Sequence, residues 1–210
     1  MGMTLCWLGH ATFRVESDMV LYIDPWKLPS GSPKADLIIV SHGHYDHCSP
    51  PDVAAVCTSG TAVLAPPDAA SQLAGDVTSL APGQRHEVGH AVVETVPAYN
   101  PNKKFHPKQN NWVGVVVEVG GKRIYYAGDT DVIPEMSQIS GIDVALLPVG
   151  GTYTMDATEA AGVCRTIKPS QAVPYHWGDI VGSSGDAYSF ARQAPCPVTV
   201  LQPGESLTLT

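Results

Sequence analysis

The sequence predicts an α/β chain in which two mixed β-sheets pack face to face and helices cover their outer faces, a four-layer αββα sandwich. Three observations carry this. Short β-like runs dominate the first half, each stopped by Gly, Asp, Pro or Ser; the second half restarts with a hairpin; and each half then passes into strand–helix alternation. A length of 210 residues suits a single domain, 1–210, with a substantial interior. With 44% hydrophobic and 15% charged residues the composition is globular rather than disordered.

In chain order, TLCWLG, TFRVES, VLYID and DLIIVSH read as strands, and SPPDVAAVCTSG as a short helix opened by Pro and Asp and closed by Gly60. AVLAPPDAASQLAG gives a strand and a second short helix, and HEVGHAVVETVPA is strand-like again. YNPNKKFHPKQNN, residues 99–111, is the one long irregular segment, and such loops inside compact domains tend to carry function. WVGVVVEV and KRIYYAGDT flank Gly120-Gly121, a turn pair that joins antiparallel strands. VIPEMSQI reads as helical, DVALLPVG as a buried strand, and a helix from Asp156 to about Lys168 opens on the capping box Asp156–Glu159. Strand QAVPYH, helix AYSFARQA and strand VTVLQPGESLTLT complete the order.

Lys plus Arg total 12 against 20 Asp plus Glu, a net charge of −8, which argues against a surface that tracks phosphate backbones and so against a nucleic-acid partner. The five cysteines are odd in number and form no C-x-x-C pair, as expected of buried thiols in a reducing compartment. The N-terminus has no basic segment leading into an apolar stretch, and no long apolar run follows anywhere. A soluble cytoplasmic protein acting on a small molecule, without a membrane partner and with its oligomeric state left open, is the expectation.

SHGHYDHCSP, residues 41–50, packs His42, His44, Asp46 and His47 directly behind an apolar strand. In extended chain His42 and His44 point to the same side and can offer neutral imidazoles to one ion. Asp46 and His47 follow where the chain must turn, so they aim elsewhere, toward a second ion; the spacing suggests two metals. His106, Asp129 in YYAGDT and His176 in VPYHWGD are further candidate donors at strand ends or in loops. His86 and His90 rival His106 but precede a strand and are expected at the surface, and Cys48 reads as a small buried residue, not a ligand.

SHGHYDH matches the H-x-H-x-D-H signature of the metallo-β-lactamase superfamily, and YYAGDT resembles its later Gly-Asp motif. With LGHATFRVE, YIDPW and PVGGTYTMDATEA, the chain resembles, over essentially its whole length, the small metal-dependent hydrolase branch that includes the L-ascorbate-6-phosphate lactonase-like proteins. The resemblance implies the metallo-β-lactamase fold, with His42, His44 and His106 on one metal, Asp46, His47 and His176 on a second, and Asp129 bridging. It implies two divalent ions, zinc foremost, the carboxylate at 129 also suiting manganese or iron. The chemistry implied is hydrolysis of a small ester, lactone, amide or phosphoester by a metal-bridged hydroxide, with Asp46 orienting the water and accepting its proton. Nuclease or phosphodiesterase action and di-iron redox chemistry are the superfamily's alternatives; members with those activities usually add a clamp domain, a basic extension or a flavin-carrying domain.

Around this set, His10 is either a proton donor to the leaving group or a hydrogen-bonded structural histidine. Asp24 is either the carboxylate that orients a ligand histidine or a turn former before Pro25. Lys103 and Lys104 either meet an anionic substrate or form a solvated pair. Gly150, Gly151 and Thr152 either offer backbone N–H groups to substrate or launch the capped helix. Tyr99 and Trp112 are pocket walls or core.

Overall fold

In the computed structural model, which describes residues 2–209, the first half folds into β1 (Met3–Gly9), β2 (Thr12–Glu16), β3 (Val20–Ile23), β4 (Leu37–Ile39), α1 (Pro50–Val56), β5 (Ala62–Ala65), α2 (Pro67–Ala70) and β6 (Thr78–Ser79). The second half supplies β7 (Arg85–Val88), β8 (Ala91–Pro97), β9 (Val113–Val119), β10 (Lys122–Tyr126), β11 (Val144–Pro148), α3 (Ala157–Ile167), β12 (Gln171–Tyr175), α4 (Ser184–Gln193) and β13 (Ser206–Leu209). One sheet has the order β13-β1-β2-β3-β4-β5-β6 and the other β12-β11-β10-β9-β8-β7. Each begins antiparallel and turns parallel, from β3–β4 onward in the first and from β10–β11 onward in the second.

Alternation along the strands sorts the side chains into layers. Leu21, Ile23, Leu37 and Ile39 join Val113, Val115, Val117 and Tyr126 in the large core. Tyr22 and Ile38, one position out of phase, pack instead with Val53 and Val56 of α1 and Ala69 of α2 in a separate cluster. Beyond the second sheet α3 packs on β11 and on α4, burying Ala160, Ala161, Cys164 and Ile167. This is the αββα sandwich expected from the order of elements.

The local signals act where they stand. Asp156 accepts from the Thr158 and Glu159 N–H groups, and Glu159 accepts from the Asp156 N–H at 2.9 Å, closing the capping box. Gly120 and Gly121 both take positive φ in the β9–β10 hairpin. Three segments depart from expectation. VIPEMSQI makes only a 3-10 turn, Pro134–Gln138. HEVGHAVVETVPA is a hairpin of two strands that folds back at Gly89, at φ +55°. In VTVLQPGESLTLT, Pro203 and Gly204 (φ +88°) break the run, so that only Ser206–Leu209 is strand, while Val198 makes a lone bridge to Ala172.

Two glycines bring the end of β10 close to β9. A Cβ on Gly114 would lie 2.5 Å from the Ala127 carbonyl oxygen, and one on Gly128 (φ +71°) 2.9 Å from that of Val113. The residue that follows is Asp129. No helix among the described residues is long and apolar enough to cross a membrane.

Candidate metal centre

The strand ends of both sheets converge. The turn after β1 brings His10, the end of β3 Asp24, the segment after β4 Ser41 to His47, the loop after β8 Asn100 and His106, the end of β10 Asp129, and the end of β12 His176. Open α/β sheets place their sites outside such strand ends. His10, Asp24 and His176 all hold positive φ (45°, 46° and 62°), uncommon for non-glycine residues and concentrated here.

After β4 the chain turns as the spacing predicts: the His47 and Cys48 N–H groups both donate to the His44 carbonyl. His42 Nε2 and His44 Nδ1 come within 3.1 Å of each other, and with His106 they offer three ring nitrogens all within 4.8 Å of one another. A second group, His10, Asp46, His47 and His176, meets the same limit. Asp129 stands between the two: its Oδ2 lies 3.2 Å from His106 Nε2, 3.4 Å from His47 Nε2 and 3.1 Å from His176 Nε2. The structure thus brings together His42, His44, Asp46, His47, His106, Asp129 and His176.

Partners behind the cluster fix which nitrogen faces it. Asp24, fully buried, accepts from His47 Nδ1 at 2.7 Å, from Ser41 N–H and Ser41 Oγ at 2.6 Å each, and from the Tyr126 hydroxyl at 2.6 Å, which leaves His47 Nε2 pointing inward. The Asn100 amide oxygen lies 2.9 Å from His106 Nδ1 and accepts the His106 backbone N–H, again freeing Nε2. Ser41 Oγ does the same for His42 through Nδ1 at 2.9 Å. Asn100, Ser41 and Tyr126 were not legible as site residues, because nothing local marks a partner reached only by folding. Trp112, buried, packs against His42 at a tilt and against His44 edge to face, with ring centroids 4.8 Å from each.

The electrostatics favour cations. Burial opposes ionisation of Asp129, but the imidazoles of His176, His47 and His106 more than offset it and hold the carboxyl well below its usual range. Burial likewise opposes the charged form of Asp46, yet the hydrogen bond from His10 Nε2, at 2.9 Å, and nearby His47 bring it down to about 2. Burial and the neighbouring His47 push His42 well below the ordinary imidazole value. The donor set also passes a direct test of fit. His47 Nε2, His106 Nε2, His176 Nε2, His176 Nδ1 and Asp129 Oδ1 are buried without a hydrogen-bond partner. Unsatisfied buried polar atoms are costly, and three of these, the Nε2 atoms of His47, His106 and His176, gather around Asp129 Oδ2, where an ion would satisfy them. The cluster can hold metal.

His86 and His90 lie away from it; His90 pairs with Asp18 at the surface. Cys48 is buried, its thiol pushed up to about 12 by burial, with Sγ against the Ala69 carbonyl, and it belongs to no donor group. Lys103 is bound by Asp131 at 2.6 Å and by the carbonyls of Gly151 and Thr154, so it is neither a solvated charge nor a free hand for substrate. Lys104 is exposed and outside the cleft lining. The N–H groups of Gly151 and Thr152 are engaged with the carbonyls of Met155 and Gly150, and neither residue lines the cleft. Tyr99 is core, its hydroxyl on Glu135 at 3.0 Å.

Over the cluster opens a cleft of about 220 Å³, with His44, Asp46, His106, Asp129 and His176 on its floor and Tyr45, Phe105, Tyr153 and Ile180 as walls. Residues 4–176 match the profile of the β-lactamase superfamily domain. Over 224 residues the chain is 36% identical to the UPF0173 metal-dependent hydrolase of Thermococcus kodakarensis, covering 96% of this chain and 97% of that protein. It is 35% identical to the Pyrococcus abyssi counterpart, with coverage of 96% and 97%. Among solved structures it is similar to Igni18, a metallo hydrolase of the hyperthermophilic archaeon Ignicoccus hospitalis, with a TM-score of 0.81, 25% identity and coverage of 100% and 99%.

Proposed function

Because the chain belongs to the β-lactamase superfamily and, within it, to the UPF0173 metal-dependent hydrolases, we propose that it hydrolyses a small-molecule ester, lactone, amide or phosphoester with two divalent ions. His42 Nε2, His44 Nδ1 and His106 Nε2 would hold the first ion; Asp46, His47 Nε2 and His176 Nε2 the second; Asp129 would join them. One observation supports this above the others: a single buried carboxylate oxygen within 3.4 Å of three imidazole nitrogens that come from three separate chain segments. When bound, such ions supply Lewis acidity and lower the pKa of water toward neutrality. Imidazole and carboxylate donors suit zinc, and a carboxylate at the bridge rather than a thiolate also suits manganese or iron.

The protein's own share is orientation. Asp46 lines the cleft floor, and the hydrogen bond from His10 Nε2 to its Oδ2 holds the carboxylate with that oxygen 3.8 Å from His47 Nε2. With its pKa brought down to about 2 this carboxylate is ionised and can orient the attacking water as a hydrogen-bond acceptor. His10 is buried and does not line this cleft, so it acts through Asp46 as a positioning residue.

Chelated protein reloaded with zinc or manganese should bind about two equivalents and regain turnover on an ester, lactone and phosphodiester panel. Metal-independent rates, unchanged in His42→Ala, would reject the reading. A second expectation separates the two roles of His10. His10→Ala should slow turnover by about 10–100-fold, the usual effect of losing an orienting partner, and by the same factor for good and poor leaving groups. A loss confined to poor leaving groups would make His10 the proton donor instead.

A further inference from the structure

Five large hydrophobic side chains among the described residues are exposed, and three of them, Tyr45, Phe105 and Ile180, line the cleft. Tyr45 stands edge-on to Trp26 and is 67% exposed. Phe105 meets Tyr153 almost at right angles, with ring centroids 4.7 Å apart. Apolar surface gathered at one cleft is a binding feature, whereas scattered single residues are not.

Ile180 carries the strongest signal. Its φ is +63°, a region in which a β-branched residue is an outlier. The Val181 N–H donates to the Asp179 carbonyl at 2.7 Å around it, the i to i+2 bond of a γ-turn, and the positive-φ form of that turn is rare and strained. Gly178 and Gly182 on either side take positive φ without such a penalty (80° and 69°), yet the central position holds isoleucine. The side chain is 46% exposed, so core packing does not repay the strain. Strain that persists in this way marks functional positions. Asp179, one position before Ile180, accepts from Lys27 Nζ at 2.7 Å, which ties the turn to the segment after β3.

No Lys or Arg lines the cleft, and Lys103, from the same loop as Phe105, is held by Asp131 and two carbonyls. A phosphoryl group would find no cationic side chain there.

We propose that the cleft selects a neutral acyl substrate, an ester, lactone or amide, through an apolar substituent clasped by Ile180, Tyr45 and the Phe105–Tyr153 pair, with Ile180 as the residue that sets specificity. This rests on the hydrolytic reading of the metal site.

The test uses metal-loaded protein and the ethyl esters of acetic to octanoic acid, followed by proton release, with methyl phosphate as the charged comparison. Specificity constants should rise about tenfold or more from acetate to octanoate, with methyl phosphate slower than any ester. In Ile180→Gly the octanoate-to-acetate ratio should fall toward unity while Tm holds or rises, because glycine relieves the turn. Octanoate and acetate are also titrated calorimetrically, wild type binding octanoate at least tenfold more tightly and the variant not. Rates flat with chain length, a faster phosphoester, or a variant that keeps the preference would overturn the proposal. So would a change of oligomeric state in Ile180→Gly with the preference intact, which would give these side chains to a second copy of the chain. If metal is bound yet nothing is hydrolysed, the hydrolytic reading fails on its own, and the octanoate titration still decides whether the apolar clasp exists.

Discussion

Asp129→Asn is expected to leave a folded protein that holds fewer metal ions than wild type and turns over at least about 100-fold more slowly. The substitution is nearly isosteric, so the core around it is undisturbed. What changes is the chemistry of one oxygen: Oδ2 faces His106, His47 and His176 at 3.1–3.4 Å, and Oδ1 is buried without a partner. An asparagine removes the charge and puts an N–H donor on one side of a site built for cations. Losing a mere orienting partner behind a ligand costs about 10–100-fold, and a donor that touches both groups of histidines should cost no less than the upper end of that range. Without metal the variant should be less stable than wild type, because the imidazoles that hold the Asp129 carboxyl ionised lose their charged partner. Elemental analysis and thermal unfolding with and without chelator check this. Wild-type metal content together with a wild-type rate would remove Asp129 from the site.

The comparison of sequence with structure separates two kinds of signal. Local ones were legible: the Gly120-Gly121 turn, the Asp156–Glu159 box, and short strands such as VLYID stopped by Gly, Asp, Pro or Ser. His42, His44, Asp46 and His47 were legible because the chain brings them together within one turn. His106, Asp129 and His176 were legible as candidate donors at strand ends or in loops, and only the resemblance tied them to this cluster; His176 Nε2 lies 3.1 Å from Asp129 Oδ2. Contacts made only by packing were not legible. Tyr126 reaches Asp24 across 102 residues of sequence, and Asn100 holds His106 from the far end of a loop that reads simply as irregular. Lys103 looked like half of a solvated pair until folding placed a carboxylate and two carbonyls around its ammonium. Ile180 gave no signal at all, since the positive φ that singles it out belongs to the backbone and not to its place in a motif.

The other large effect falls on stability. Asp24→Asn should destabilise the metal-free protein by about 3 kcal/mol, the lower end for breaking a buried charged network, and so lower Tm by roughly 6–12 °C in a chain of this size. The reason is a count of donors. Asp24 Oδ2 accepts from Ser41 Oγ, His47 Nδ1 and the Tyr126 hydroxyl, and Oδ1 accepts from the Ser41 N–H, all at 2.6–2.7 Å and out of contact with water. An asparagine offers one oxygen. If that oxygen takes the Oδ1 place, its NH₂ confronts three donors; if the amide flips, the NH₂ confronts the Ser41 backbone. Either way a buried donor faces a donor, which costs more than a lost hydrogen bond. His47 also loses the acceptor that keeps its proton on Nδ1, so metal affinity should drop about 10–100-fold even though no proposed ligand has been touched. Asp24 and Asp129 are both buried carboxylates, but they should fail differently: Asp24→Asn shows most of its loss already without metal, whereas the deficit of Asp129→Asn widens when zinc is added, because the stabilisation by metal is lost with the ligand. Thermal unfolding of the two variants, each with and without zinc, reads this directly. An Asp24→Asn protein that melts within about 1 °C of wild type and binds zinc equally well would show that the four hydrogen bonds neither hold the two sheets together nor set the imidazole that faces Asp129.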